Sequence, residues 1–64
     1  MLINGQPYPL DESRLLSELL TEAGYHPDRV AVILGGRVVP RTDWETTAIR
    51  ADDCLEVIAF VGGG

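Results

Sequence analysis

This sequence contains no lysine, and its five basic residues are all arginines, set against ten aspartates and glutamates. The resulting formal net charge of −5 disfavours binding to the phosphate backbone of a nucleic acid and suits a basic protein surface. Without lysine, the chain also cannot form isopeptide conjugates on its own side chains. The charge balance therefore predicts a protein partner and no nucleic acid.

Cysteine and long apolar runs are scarce as well. A single cysteine, Cys54, cannot form an internal disulfide, which fits a reducing compartment. No stretch approaches the ~20 apolar residues of a membrane span, and no signal-peptide pattern lies near the first residue. We therefore expect a cytoplasmic protein that makes no membrane contact. At 64 residues it forms one domain, too small to enclose an active site.

Asn4-Gly5 predicts a β-hairpin at the start of the chain. Both residue types tolerate positive φ, as a two-residue hairpin turn requires. We expect paired strands at Met1–Ile3 and Tyr8–Leu10. Pro7 and Pro9 cannot donate a ladder hydrogen bond, which confines the second strand to a sheet edge or makes it irregular.

A helix follows, because apolar residues recur on one face of a 3.6-residue period. Asp11 or Ser13 can cap its first turn, and Gly24 ends it where a left-handed residue is favoured. The predicted buried face consists of Leu15, Leu16, Leu19, Leu20 and Ala23.

A second hairpin is predicted in the middle of the chain. The run Val30–Leu34 is rich in β-branched residues, and Gly35-Gly36 turns it into the strand Arg37–Val39. Pro40 then ends that strand, since it cannot donate a hydrogen bond.

The last third predicts two turns and a final strand. Thr42 or Asp43 can cap a short turn carrying Trp44, which we expect to serve packing. Asp52-Asp53 forms a polar turn before the strand Leu55–Phe60.

The order of these elements predicts an α+β domain in two layers. One helix with a single apolar face covers one face of a mixed sheet of about five strands. No element remains to cover the other face, so apolar residues there mark an interaction site. By alternation, Leu55, Val57 and Ala59 face the helix, whereas Ile58, Phe60 and Ile33 lie on the uncovered side.

The chain ends in Val61 followed by three glycines. Glycine has no side chain to pack and loses the most conformational entropy on ordering, so such an ending rarely stabilises a fold. It can instead thread a narrow channel and present a carboxylate at the far end. We therefore expect a domain over residues 1–61 and a flexible tail over residues 62–64.

Several motifs together resemble the ThiS family of sulfur carriers, which have the ubiquitin-like β-grasp fold. The resemblance covers the whole chain, and its most specific parts are the Val-Val-Pro-Arg-x-x-Trp stretch and the terminal glycines taken together. The matching segments are Asn4-Gly5, the leucine-rich helix ending Ala23-Gly24, Val38 to Trp44, Asp52-Asp53 and Gly62 to Gly64.

This resemblance implies a carrier and not a catalyst. A ThiF-like enzyme would use ATP to adenylate the carboxylate of Gly64, and a sulfur donor such as a cysteine desulfurase persulfide would convert it to a thiocarboxylate. A ThiG-like thiazole synthase would then take the sulfur. Gly62 and Gly63 would provide reach, and Ile58, Phe60 and Val61 would dock the partners. The carrier itself would need no cofactor.

Three other functions share parts of this pattern. They are a molybdopterin-type sulfur carrier, a ubiquitin-like covalent modifier, and a plain interaction module with incidental glycines.

Cys54 is interpreted as a small apolar residue at a strand start, and His26 as a residue after the helix with no metal-binding companions. Asp52-Asp53 is interpreted as a solvated turn.

Overall fold

The computed structural model of the protein describes residues 1–60, so the predicted boundary after residue 61 and the glycine tail lie outside the described residues. A five-stranded mixed sheet has the order β2-β1-β7-β4-β5, and β3 and β6 form a separate small sheet. Within residues 1–60, no helix is both long enough and apolar enough to cross a membrane. The strands are β1 Leu2–Ile3, β2 Gln6–Pro7, β3 Arg14–Leu15, β4 Val30–Leu34, β5 Arg37–Val38, β6 Ala48–Ile49 and β7 Cys54–Ala59, and the helix is α1 Leu16–Glu22.

The last strand, β7, occupies the centre of the five-stranded sheet. It pairs in parallel with β1 on one side and antiparallel with β4 on the other. The last strand of the described residues is therefore hydrogen-bonded to a neighbouring strand on each side. The predicted mixed sheet of about five strands with one main helix is confirmed.

The first hairpin turns at the predicted residues but pairs different ones. Asn4 and Gly5 have φ angles of 53° and 78°, as the predicted turn requires. The second strand is Gln6–Pro7, so its predicted position at Tyr8–Leu10 is wrong. A two-residue turn places Gln6 directly opposite Ile3, and pairing therefore begins at once. The proline of this strand lies at the sheet edge, as predicted.

The second hairpin is confirmed in its turn and its strands. Gly35 and Gly36 have φ angles of 56° and 85°, and β4 pairs antiparallel with β5 across them. The second strand ends at Val38, one residue earlier than predicted.

The helix begins later than predicted and without a side-chain cap from Asp11 or Ser13. Arg14 and Leu15 instead extend as β3 against β6, which leaves Leu15 exposed and outside the buried helical face. The sequence periodicity could not show this, because β6 lies more than thirty residues further along the chain.

Loop carbonyls take the place of the missing cap. The amide of Leu16 donates to the carbonyl of Thr47 at 2.8 Å, and the amide of Ser17 donates to the carbonyl of Trp44 at 3.1 Å. These bonds satisfy two of the amides that a helix start leaves unpaired. The helix start is therefore defined by a tertiary contact.

The helix ends as the sequence predicts. Gly24 has a φ of 90°, and its amide donates to the carbonyl of Thr21 at 3.1 Å. The amide of Tyr25 donates to the carbonyl of Leu20 at 2.9 Å, which completes a Schellman motif.

The core lies between the helix and the covered face of the sheet. Trp44 belongs to it, and its indole Nε1 donates to the carbonyl of Val39 at 2.9 Å, which confirms the predicted packing role. The predicted caps Thr42 and Asp43 are wrong, because the short 3-10 helix Arg41–Asp43 has no side-chain cap. The buried residues are Ile3, Leu16, Leu19, Leu20, Val30, Val32, Trp44, Ile49, Leu55 and Val57.

Candidate docking site beside the central strand

The two sides of β7 differ sharply in exposure. Leu55 and Val57 are buried toward the helix, whereas Ile58 is 50% exposed and Phe60, just past the strand, is 60% exposed. The predicted facing of these four residues is confirmed. Ala59, which was predicted to face the helix, is exposed because it is the last residue of the strand.

Neighbouring strands continue this exposed side across the sheet. Ala31 lies opposite Ile58, and Ile33 lies opposite both Glu56 and Val38. Val38 is 69% exposed, whereas Ala31 and Ile33 are partly buried. We call this surface the open face and define it as Ala31, Ile33, Val38, Glu56, Ile58 and Phe60. It is apolar apart from one carboxylate, and exposed apolar patches of this kind mark interaction sites.

The side chain of Asn4 clamps β7 from the first hairpin. Its Nδ2 donates to the carbonyl of Val57 at 3.1 Å, and the amide of Val57 donates to its Oδ1 at 2.8 Å. The backbone amide of Asn4 also donates to the carbonyl of Leu55 at 2.8 Å. β1 ends at Ile3, and the side-chain amide of Asn4 then makes the hydrogen bonds to β7 that a further residue of β1 would make. The Asn-Gly signal predicted the turn but not this second role.

A further hydrogen bond holds the chain just past β7. The amide of Phe60 donates to the carbonyl of Arg29 at 2.8 Å, which extends the β4–β7 pairing by one residue. The predicted docking residue Val61 and the predicted tail residues Gly62, Gly63 and Gly64 lie outside the described residues. The chain is therefore fixed up to the residue before this segment.

The other residues singled out in the sequence are His26, Cys54 and the turn Asp52-Asp53. No group of three or more His, Cys, Asp or Glu side chains within residues 1–60 could hold a metal ion. Cys54 begins β7, as predicted, and is exposed. The carboxylate Oδ2 of Asp53 accepts a hydrogen bond from the backbone amide of Arg50 at 2.7 Å, which confirms a polar turn. Two open depressions of about 420 and 510 Å³ run along the helix and contain the Arg14–Glu22 ion pair.

Comparison with known proteins identifies the family. The family model described as the ThiS family matches residues 1–64. The chain belongs to the ThiS family. It is 36% identical over 62 residues to the sulfur carrier protein ThiS of Thermus thermophilus, a match that covers 97% of this chain and 95% of that protein.

A solved structure agrees with the fold of this ThiS-family chain. The crystal structure of the thiamine biosynthesis protein ThiS from Geobacter metallireducens superposes with a TM-score of 0.83 at 33% identity. The match covers 98% of this chain and 96% of that one. The predicted ubiquitin-like β-grasp fold is therefore confirmed.

Longer relatives also contain a segment similar to this ThiS-family chain. A thiazole synthase of Magnetococcus marinus is 36% identical over 62 residues, which covers 97% of this chain but 19% of that protein. The chain therefore spans about a fifth of the length of the thiazole synthases that it matches.

Asn4→Gly tests the clamp in this ThiS-family domain. Glycine tolerates the positive φ, so the substitution removes the two side-chain hydrogen bonds while leaving the turn. We expect the free energy of unfolding in urea to fall by about 1–3 kcal/mol, at about 0.5–1.5 per bond, and amide exchange at Val57 to accelerate. Asn4→Asp keeps an acceptor for the Val57 amide but sets a second carboxylate oxygen against the Val57 carbonyl, so it should also lose stability. Unchanged stability and exchange in Asn4→Gly would show that the clamp does not hold β7.

Proposed function

We propose that this chain is a sulfur carrier for thiazole formation in thiamine biosynthesis and that it is not itself a catalyst. Membership of the ThiS family supports the proposal. The observation that carries it is the position of β7, which is paired on both sides and held through Phe60, directly before Val61 and the three glycines. Under this proposal, the domain presents the terminal glycines to a partner enzyme.

The proposed chemistry takes place on the carboxylate of Gly64. A ThiF-like enzyme uses ATP to form the acyl-adenylate and pyrophosphate, which converts a poor electrophile into one with a good leaving group. The terminal sulfur of a persulfide, such as that of a cysteine desulfurase, attacks the acyl carbon and expels AMP. A thiol then reduces the resulting acyl disulfide with two electrons, leaving the thiocarboxylate. The sulfur of the thiocarboxylate is the nucleophile that a ThiG-like thiazole synthase consumes.

The open face is the proposed docking surface for both enzymes. Ile58 and Phe60 are exposed apolar residues on the strand that leads to the tail, and Val61 follows them. Four extended residues beyond Phe60 reach about 13 Å at ~3.3 Å each, so a partner's reaction centre should lie within that distance of the anchor. Exposure of an aromatic anchor beside a short tail supports docking followed by insertion.

Mass spectrometry tests the proposed product. After incubation with a ThiF-like enzyme, ATP and a sulfur source, we expect one carboxylate oxygen to be replaced by sulfur, and fragmentation to place the change on Gly64. Omission of ATP is the control and should leave the mass unchanged. A sulfur adduct on Cys54 in place of Gly64 would contradict the proposal, and conjugates to other proteins would indicate a covalent modifier.

A further inference from the structure

The open face contains one charged residue whose position is unusual for a sheet. Of the ten acidic residues in the chain, Glu56 is the one that lies within a strand of the five-stranded sheet. Glutamate is depleted in strands, and β7 is the central strand here. The residue of β4 that lies opposite Glu56 is Ile33, whose side chain has no charge and no hydrogen-bonding group. The cross-strand contact with β4 therefore gives Glu56 no ionic partner.

The described residues provide no cation opposite this carboxylate. The two ion pairs within residues 1–60 are Arg14–Glu22 and Arg41–Asp28. Arg29 lies opposite Phe60, which is four residues after Glu56. The backbone of Arg29 is therefore displaced from Glu56 by about 13 Å along the strand. Arg37 is two strands away from β7.

Docking of the open face would remove Glu56 from water. Burial of an unpaired carboxylate costs several kcal/mol, which would oppose any association through the apolar residues around it. A partner that covers this face must therefore supply a cation. An arginine is well suited because its guanidinium binds a carboxylate with two hydrogen bonds.

We propose that Glu56 forms an ion pair with a basic side chain of thiazole synthase when the open face docks. The inference rests on the proposed function. We choose thiazole synthase because two relatives of that name contain a segment similar to this domain. A carrier domain and a synthase within one chain act close to each other. A second copy of the chain fits poorly, because an isologous contact would bring two Glu56 carboxylates together and would join two molecules of charge −5.

Two single substitutions isolate the local pair from the overall charge. Glu56→Gln removes the charge while keeping the size, and Glu18→Gln removes one charge from the exposed side of the helix on the opposite layer. Both variants lose the same net charge, so long-range attraction changes equally. Affinity for the thiazole synthase that works with this carrier is measured by titration calorimetry, with unfolding curves to correct for the folded fraction.

We expect Glu56→Gln to weaken binding to thiazole synthase about thirtyfold or more, because the partner's cation would be left buried and unpaired. Glu18→Gln should stay within about threefold, as exposed charges contribute little. Glu56→Arg should bind more weakly still. Equal affinities of the Gln variants would overturn the inference, as would a loss confined to the activating enzyme.

The same titrations separate this inference from the proposed function. If Phe60→Ala weakens binding while Glu56→Gln does not, the ion pair is wrong and the docking surface stands. If no thiocarboxylate forms on Gly64, the proposed function fails whatever the affinities. Sedimentation of the unmodified chain as a dimer that Glu56→Gln strengthens and Phe60→Ala dissociates would assign the open face to a second copy and overturn the inference.

Discussion

Deletion of Gly63 and Gly64 should abolish adenylation while leaving the domain folded. The carboxylate that reacts would then lie two residues closer to Phe60, about 7 Å short of its position in the full chain. Proximity of the reacting atoms provides a large part of any rate enhancement, so a shortfall of this size should reduce exchange to background. ATP–pyrophosphate exchange with the activating enzyme measures the loss.

Stability is the matched control for this deletion. Glycines contribute no side chain to the core, so the melting temperature should change only slightly. Binding to the activating enzyme should also persist, because the open face is intact. Exchange at the full-length rate by the truncated chain would contradict the role of the tail.

Phe60→Ala is expected to have a large effect on binding and a small one on folding. Its side chain is 60% exposed in the free protein, so truncation removes little core packing. An aromatic anchor in a partner pocket commonly contributes 2 kcal/mol or more, which corresponds to about thirtyfold or more in affinity. Calorimetric titration against both proposed partners, together with thermal unfolding, measures the two effects.

Leu19→Ala is expected to have the opposite effects, a large loss of stability and no change in partner affinity. Leu19 is fully buried on the helix, so its truncation should cost roughly 2–5 kcal/mol of unfolding free energy. Affinity per folded molecule should not change, since the open face lies on the other side of the sheet. If Phe60→Ala destabilises the domain while affinity per folded molecule stays constant, Phe60 is a core residue and not an anchor.

Local turn chemistry made several elements predictable. Asn4-Gly5 and Gly35-Gly36 turn as expected because their positive φ angles are a property of the residues themselves. Gly24 ends the helix for the same reason. The alternation of Leu55 to Phe60 predicted which residues would be exposed, because successive side chains of a strand point to opposite faces.

Long-range pairing was not predictable in this way. The extended conformation of Arg14 and Leu15 depends on β6, and the helix start depends on the carbonyls of Trp44 and Thr47. Asp11 and Ser13 are suitable capping residues by type, yet competing backbone contacts prevailed. The clamp from Asn4 to Val57 likewise joins residues 53 positions apart.

The sequence by itself determined the turns, the apolar face of the helix, the alternation of the last strand and the glycine ending, because each depends on residues within a few positions of one another. Only the tertiary structure decided that β7 lies at the centre of the sheet between β1 and β4, and that Ile33 lies opposite Glu56. These features depend on backbone hydrogen bonds between distant segments. Such bonds form between any residues that folding brings together, so side-chain identity leaves little trace of them in the sequence.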